Sequence, residues 1–302
     1  MSKFIKKCKK NPLHIITALG IRGFLNWLPN SLRIKIIFRC ELGYFLNLKN
    51  PKSFNEKIQW LKFYGDIQQY THLVDKHEVR KYISDTIGEN YLIPLLGIWD
   101  KFEEIDFSKL PEQFVLKCNH DCGSVVICTD KATFDIKKAK NKLNKCLKQN
   151  NYYSTLELQY KNIKPKIICE KYMKDESGEL KDYKIFCFNG EPKIIQVNYG
   201  RFTDSKKNLY DIEWNYVPVA MTYPTDPNVI INKPNNLKEM LTLAKTLSKD
   251  YPFVRVDFYS IEGKTYFGEL TFTPAMGLGK FEPEEFDFEM GSWLELLKEE
   301  KI

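Results

Sequence analysis

The sequence predicts an α+β protein, helical in its first third and built afterwards from antiparallel hairpins. Three observations carry that reading. Asn189-Gly190 stands between DYKIFCF and EPKIIQV, two β-branched and aromatic runs set at hairpin spacing. VRVDFYSIEGKTYFGELTF (254–272) repeats the pattern around Gly263. Before residue 90, apolar residues recur instead at helical spacing.

Taken in order, Ser53 and Glu56 form a capping box, and Ile58, Leu61 and Phe63 give the following helix an apolar side. A second helix starts near Asp75 and carries DKHEVRKYI. Gly88 and Pro94 break the pattern before LIPLLGIWD, which reads as a buried strand and turn. FVLK (114–117) and SVVIC (124–128) are short strands joined by CNHDCG. A lysine-rich helix follows, with Ile136, Ala139, Leu143 and Leu147 on one side, and then the strand KIICE (166–170). Asn236 to Lys249 is a helix with Leu237, Met240, Leu241, Ala244 and Leu247 inside, stopped by Pro252.

The 302 residues, 43% hydrophobic, suffice for one large domain or two to three subdomains. No repeat or low-complexity linker separates them, so close packing is expected. Eight cysteines lack framework spacing and no CxxC occurs, which suits a reducing cytosol. His120 between Cys118 and Cys122 lacks the paired spacing of a zinc site and reads as loop packing.

Charge is unevenly distributed. Residues 1–50 hold ten Lys/Arg against Glu41, a net +9, which leaves −2 of the total +7 for residues 51–302. A nucleic-acid binder is disfavoured, since the basic excess is confined to this segment and no RNA- or DNA-binding motif stands out. The apolar part, Leu13 to Leu28, contains His14 and Arg22, is too short to span a bilayer and carries no cleavage site. With Phe24 and Trp27 it reads either as a surface that lies on an anionic inner leaflet or as a packed helix with a solvated basic face. It is equally suited to a dimer contact. The expected location is cytoplasmic, at or near the inner face of the membrane.

The last hairpin places three charged groups where apolar residues would otherwise dominate. With Ile261, Glu262 and Gly263 as a three-residue loop, Ser260 opposes Lys264, Asp257 opposes Phe267 and Arg255 opposes Glu269. Arg255, Asp257, Glu269 and Thr271 then share one face, and Val254, Val256, Phe258 and Leu270 the other. A two-residue loop would split the carboxylates. The shared face reads as a Mg²⁺ site with a phosphate-binding arginine, or as an Arg255–Glu269 cross-strand ion pair. Lys117 ends a strand before a loop containing Gly123 and Ser124, a setting for phosphates. Lys184, inside the other hairpin, needs a partner, either an anionic ligand or the neighbouring Asp182. Glu170-Lys171-Tyr172-Met173 ends a strand whose exposed backbone suits an adenine edge.

In this order the elements resemble the ATP-grasp superfamily, and more closely its TupA-like branch, found among surface-polysaccharide and teichuronopeptide functions. LNLKNPKSFNEKIQWLKFY, VDKHEVRKYI, IGENYLIPLLGIWD, LPEQFVLKCNH, DYKIFCFNGEPK and VRVDFY…YFGELTF carry the resemblance over about residues 45–275. It implies a basic helical segment (1–45), an N-terminal subdomain (46–112), a small lid (113–168) and a larger ATP- and Mg²⁺-binding subdomain with an antiparallel sheet (169–302). It implies that Lys76 and Lys117 contact phosphates under a loop through Ser124. Glu170 and the backbone of Lys171 and Met173 would meet adenine, and Asp175 or Glu176 the ribose. Lys184 and Arg255 would stabilise the transferring phosphoryl group. Asp257 and Glu269 would hold Mg²⁺, with Thr271 where many members have asparagine. The departures are Thr271 itself, and Asp121 and Cys122 where the branch has small residues.

The implied activity is ATP-dependent carboxylate–amine ligation through an acyl phosphate. The resemblance points to a uronic acid or other glycan precursor as the carboxylate and an amino acid or amino alcohol as the amine. No Ser/His/Asp or Cys/His nucleophile set competes with that reading. Acceptor contacts are sought at Asn198, Arg201 and the loop PAMGLGK (274–280), which lacks the P-loop pattern. The rivals are a glycosyltransferase using Glu285-Phe286-Asp287, otherwise an acidic loop, a sugar kinase sharing the ATP machinery, and a structural polysaccharide-complex protein with a degenerate ATP site.

Overall fold

Local signals set the first helices. In the computed structural model, which describes residue 8 and residues 11–121, 123–175, 180–200 and 206–296, Ser53 and Glu56 close the expected capping box. The Ser53 hydroxyl accepts from the Glu56 N–H at 3.2 Å, and the Glu56 carboxylate accepts from the Ser53 N–H at 3.1 Å. Upstream lie α1 (His14–Ile21) and α2 (Asn30–Leu42); the capping box opens α3 (Phe54–Tyr64), and α4 (Val79–Thr86) follows. Among the described residues no helix is long and apolar enough to cross a membrane.

The architecture is mixed α+β with antiparallel sheets, as expected. A four-stranded sheet runs β1-β4-β2-β3, from β1 (Leu95–Trp99), β2 (Phe114–Cys118), β3 (Val126–Cys128) and β4 (Ile167–Lys171). It crosses the expected boundaries at 112/113 and 168/169, because β1 and β4 pair along its edge. The LIPLLGIWD strand is half-buried at that edge. One face packs Phe114, Leu116, Ile167 and Cys169 against Ala139 and Leu143 of α5 (Ile136–Leu147).

The larger sheet joins β5 (Asp182–Phe188), β6 (Glu191–Tyr199), β7 (Lys206–Asp211), β8 (Tyr216–Val217), β10 (Phe253–Ile261) and β11 (Lys264–Thr271), while β9 (Ala220–Met221) pairs apart from it with β12 (Phe281–Glu282). Its order is β11-β10-β5-β6-β7-β8, all antiparallel. Asn189 and Gly190 both adopt positive φ in the β5–β6 turn, as a two-residue hairpin requires. Val254, Val256, Phe258, Ile185 and Val197 cover one face with Met240, Ala244 and Leu247 of α6 (Leu237–Ser248).

The opposite face divides. At one end Phe186, Phe188, Ile194 and Leu209 pack on Phe54, Ile58 and Leu61 of α3. At the other, the same strands carry acids, amides and cations, and there the apolar cover stops.

One expectation about the last hairpin is corrected. Glu262 and Gly263 form a two-residue turn, both at positive φ, so Ile261 opposes Lys264 and Phe258 opposes Phe267. That register alone would separate the two carboxylates. Gly268 is an extra residue at a bulge, after which Asp257 opposes Glu269 and Arg255 opposes Thr271. The bulge reverses the facing of the rest of β11. Arg255, Asp257, Glu269 and Thr271 therefore share a face, by a route different from the three-residue loop.

Candidate active site

The polar end of the large sheet is organised by one guanidinium. Arg255 donates through Nε to Asp257 Oδ1 at 2.7 Å and through NH2 to Asp257 Oδ2 at 2.8 Å. The same NH2 reaches Glu269 Oε1 and Thr271 Oγ1, each at 3.0 Å, and the Thr271 hydroxyl donates to Glu269 Oε1 at 3.2 Å. Lys184, directly opposite Asp257 on β5, forms a salt bridge with Asp257 Oδ2. Asp257 is 2% exposed, while the Glu269 side chain keeps 36% of its surface open.

Buried charges in contact set each other's protonation. Burial pushes the Asp257 carboxyl up against the pull of Arg255 and Lys184. Burial would likewise raise Glu269, yet Lys184, Arg255 and Lys76 hold it down to about 2. Burial works against the Arg255 cation, and Asp257 and Glu269 more than offset it, keeping the guanidinium charged. Arg255 and Glu269 are thus held in their charged forms, while burial opposes the charge on Asp257.

The network continues across the sheet. Lys184 opposes Gln196, Asp182 opposes Asn198, and Asn198 opposes Lys207 on β7. Gln196 donates to Asn198 Oδ1 at 2.7 Å. Lys207 stands over the Tyr223 ring at 4.4 Å, and burial, then Arg255 and Lys184, pull its ammonium down to about 8. Lys207 was not picked out from the sequence; only its pairing with Asn198 brings it to the row.

The four-stranded sheet supplies a second cluster on the face away from its core. Lys117 Nζ lies 2.7 Å from Glu170 Oε2, with Arg80 of α4 3.9 Å from Glu170 Oε1. Arg80 too was missed, although it lies inside the DKHEVRKYI string. Lys76 donates to the Asp121 carbonyl, and its field reaches Glu269, linking the two clusters. Asp75 fixes this junction by accepting from Asn119 Nδ2 at 2.7 Å.

Ser124 is 1% exposed. Its hydroxyl accepts from the Cys118 N–H at 2.7 Å and donates to the Asp121 carboxylate. Asp121 thus turns its charge into the loop. His120 is buried, with Nε2 at 3.2 and 3.1 Å from the carbonyls of Cys146 and Gln149, a packed ring. Lys171 ends β4 exposed, its N–H donating to the Pro94 carbonyl at 3.0 Å, and Met173 follows half-buried. Asp175 pairs with Lys181 at 3.1 Å. Cys122, Glu176 and Arg201 lie outside the described residues.

Two loops prove to be scaffold. Gln59 and Asn55 of α3 bind the carbonyls of Met276, Gly277 and Gly279, each at 2.8 Å, and pin the PAMGLGK loop. Glu285-Phe286-Asp287, read as an acidic loop, instead opens helix α7 (Glu285–Trp293). Asp287 is 3% exposed and accepts from the Asn55 N–H at 2.9 Å and from Asn55 Nδ2 and Tyr44 OH at 2.8 Å. Its lone pairs are engaged inside the core, and no open pair of carboxylates forms there for a sugar-nucleotide metal.

Asp257 and Glu269 present hard oxygens on one face, with Thr271 beside them. Two carboxylates are what magnesium commonly takes when a nucleotide supplies the rest. Among the described residues no cluster of three or more His, Cys, Asp or Glu side chains forms, so a metal here relies on a ligand's oxygens. The surrounding cations suit a polyphosphate, and the open Glu269 carboxylate fits a nucleotide-bound magnesium ion, whereas Asp257 would join it only as Arg255 and Lys184, which engage both its oxygens, turn to phosphate.

The sequence profile of the TupA-like ATPgrasp family matches residues 56–295, most of the chain. No curated protein matches it. Similar solved structures include a D-alanine–D-alanine ligase of Bacillus anthracis, 19% identical over 72% of this chain and 64% of its own, with a TM-score of 0.41. An L-amino acid ligase of Bacillus licheniformis is 13% identical over 81% of this chain and 56% of its own, with a TM-score of 0.47. A D-alanine–D-alanine ligase of Helicobacter pylori is 13% identical over 81% and 70%, with a TM-score of 0.42. This chain thus spans under two thirds of the length of either Bacillus ligase.

Proposed function

The chain belongs to the TupA-like ATP-grasp family, and from that premise we propose that it is an ATP-dependent carboxylate–amine ligase. The observation that carries the reading is the Arg255–Asp257–Glu269 network with Lys184, cations and hard oxygens on one sheet end that opens at Glu269. Asp257 and Glu269 would hold magnesium, which supplies charge neutralisation at phosphate oxygens. Lys76 and Lys117 are the phosphate contacts, with the Ser124 loop beside them. Glu170 and the backbone of Lys171 and Met173 take the adenine edge.

In the first step an acceptor carboxylate oxygen attacks the γ-phosphorus of ATP. The bond to ADP breaks as the new P–O bond forms, giving an acyl phosphate. Lys184 and Arg255 offset the charge on the moving phosphoryl oxygens, and no protein nucleophile is required. An amine then attacks the acyl carbon, the C–O bond to phosphate breaks, and the amine proton passes to solvent or to the released phosphate. The amide is the product. The acceptor is a uronic acid or related glycan precursor of surface-polysaccharide synthesis, and the amine an amino acid or amino alcohol.

Thermal shift with ATP–Mg²⁺ against sugar nucleotides, on wild type and Asp257→Asn, tests the site. Saturable stabilisation by ATP that Asp257→Asn abolishes is expected; a response to sugar nucleotides alone overturns the reading. Phosphate release is then measured with uronic acids and amines together. Release that requires the amine marks a ligase, whereas a stable phosphorylated sugar without amine marks a sugar kinase.

A further inference from the structure

The hairpin of α1 and α2 breaks the usual rule for surface helices. Helix α1 reads HIITALGI, with no Lys, Arg, Asp or Glu. Its inner side, Thr17 and Gly20, packs toward α2, where a Cβ on Gly20 would lie 2.7 Å from Ile37 Cδ1. Its outer side is apolar as well: Ile15 and Leu19, with Leu13 just before the helix, are 47, 38 and 50% exposed. Apart from His14, which pairs with Glu41 at 2.7 Å, nothing on the outer side of this helix is suited to water, and an apolar helix side is ordinarily covered.

The connecting turn extends the surface. Leu25 packs inward beside Ile34, Ile37 and Phe38, whereas Phe24 and Trp27 point out, 66 and 78% exposed. Outward aromatics here are therefore not residues that failed to find the core; the turn has separate inward anchors. Of the sixteen large apolar side chains exposed among the described residues, seven fall between residues 13 and 45, about a tenth of the chain. That concentration marks a surface with an occupant.

Charge selects the occupant. The first fifty residues carry ten cations and one acid, whereas the remainder is slightly acidic. Arg22, Lys35 and Arg39 are exposed on the hairpin itself, and the Arg39 guanidinium sits 4.6 Å from the Phe45 ring centroid. A second copy would bring like charges together. An anionic bilayer meets both features, taking aromatic side chains at its interface and neutralising the basic excess. We propose that the α1–α2 hairpin docks this protein on an anionic lipid surface, with Phe24 and Trp27 entering the headgroup layer. The short helix lies on the membrane and does not cross it.

The full chain is sedimented with vesicles of phosphatidylglycerol and phosphatidylcholine, and with phosphatidylcholine alone, at low and high salt. Binding to the anionic vesicles only, weakened by salt, is expected. Phe24→Ser with Trp27→Ser should lower partitioning about tenfold or more while leaving the thermal midpoint unchanged. Trp27→Phe should remove the blue shift of tryptophan emission that accompanies binding. No vesicle binding at low salt overturns the proposal. So does binding undiminished by the double substitution, which would assign attraction to the basic residues alone. A concentration-dependent dimer that dissociates on the same substitutions, without vesicle binding, would assign the face to a second copy.

Discussion

Lys117 and Glu170 meet diagonally across β2 and β4, ammonium to carboxylate at 2.7 Å. They are the side chains expected at the phosphates and at adenine, and here each is the other's partner. Arg80 gives Glu170 a second, longer cation contact, so Lys117 can leave without stranding the acid. Lys117→Met is therefore expected to weaken ATP binding by about tenfold, the loss of one charge-assisted contact, while the fold survives. Titration calorimetry with ATP–Mg²⁺ checks this, and unchanged affinity would remove Lys117 from the nucleotide site. Glu170→Gln should instead erode the preference for ATP over GTP.

The bulge at Gly268 is the geometric condition for a two-carboxylate site. A Cβ there would lie 3.0 Å from the Asp257 carbonyl and 3.3 Å from the Tyr259 ring. Gly268→Ala must displace the Asp257 backbone or β11, at a cost of about 1–3 kcal/mol. The expected signature is a lowered denaturation midpoint together with a reduced ATP–Mg²⁺ shift. Full nucleotide response in a destabilised Gly268→Ala variant would show that the carboxylates need not be set this closely.

What could be read in advance followed the range of the interaction that produces it. Asn189-Gly190 and the Ser53–Glu56 box act within a few residues, and their patterns specify the turn and the cap directly. The shared face of Asp257 and Glu269 was legible as alternation, but its cause was not. A two-residue turn and a one-residue bulge each shift the facing, and together they cancel. Lys207 and Arg80 carry no local mark, since Asn198 and Glu170 give them their place through strand pairing and packing. Asp287 looked like part of an exposed acidic run because its partners, Tyr44 and Asn55, lie more than 230 residues away.

Glu269 gives the fold an acid limit. Its carboxyl is held at about 2 in the folded chain, against an ordinary value of 4.5. The folded state therefore releases this proton more readily than the unfolded one, and the resulting stability is fully present above pH 4.5. It is lost as pH falls from 4.5 towards 2. Urea midpoints of wild type and Glu269→Gln should differ most above pH 5, draw together as pH falls below 4.5 and converge only towards pH 2. A gap that stays constant across that range would mean that the cations do not favour the ionised form.

Lys207 acts with the same sign at the alkaline side, as a burial penalty relieved with rising pH and not a stabilisation lost with falling pH. Burial and the neighbouring Arg255 and Lys184 bring its ammonium down to about 8 from the ordinary 10.5. Between those values the folded chain binds fewer protons than the unfolded chain, so this lysine makes stability rise with pH from about 8 to 10.5. A polyphosphate or acyl phosphate beside it reverses the local field and restores the proton. Nucleotide binding near pH 8 should then take up a proton, and affinity should fall as pH rises through 8. Calorimetry at pH 8 in two buffers of different ionisation enthalpy measures that uptake directly. Wild type is expected to show it and Lys207→Met to lack it, with the variant's affinity also flatter between pH 7 and 9. Equal uptake in both proteins would place Lys207 outside the field of the bound phosphates and leave the alkaline dependence to another group.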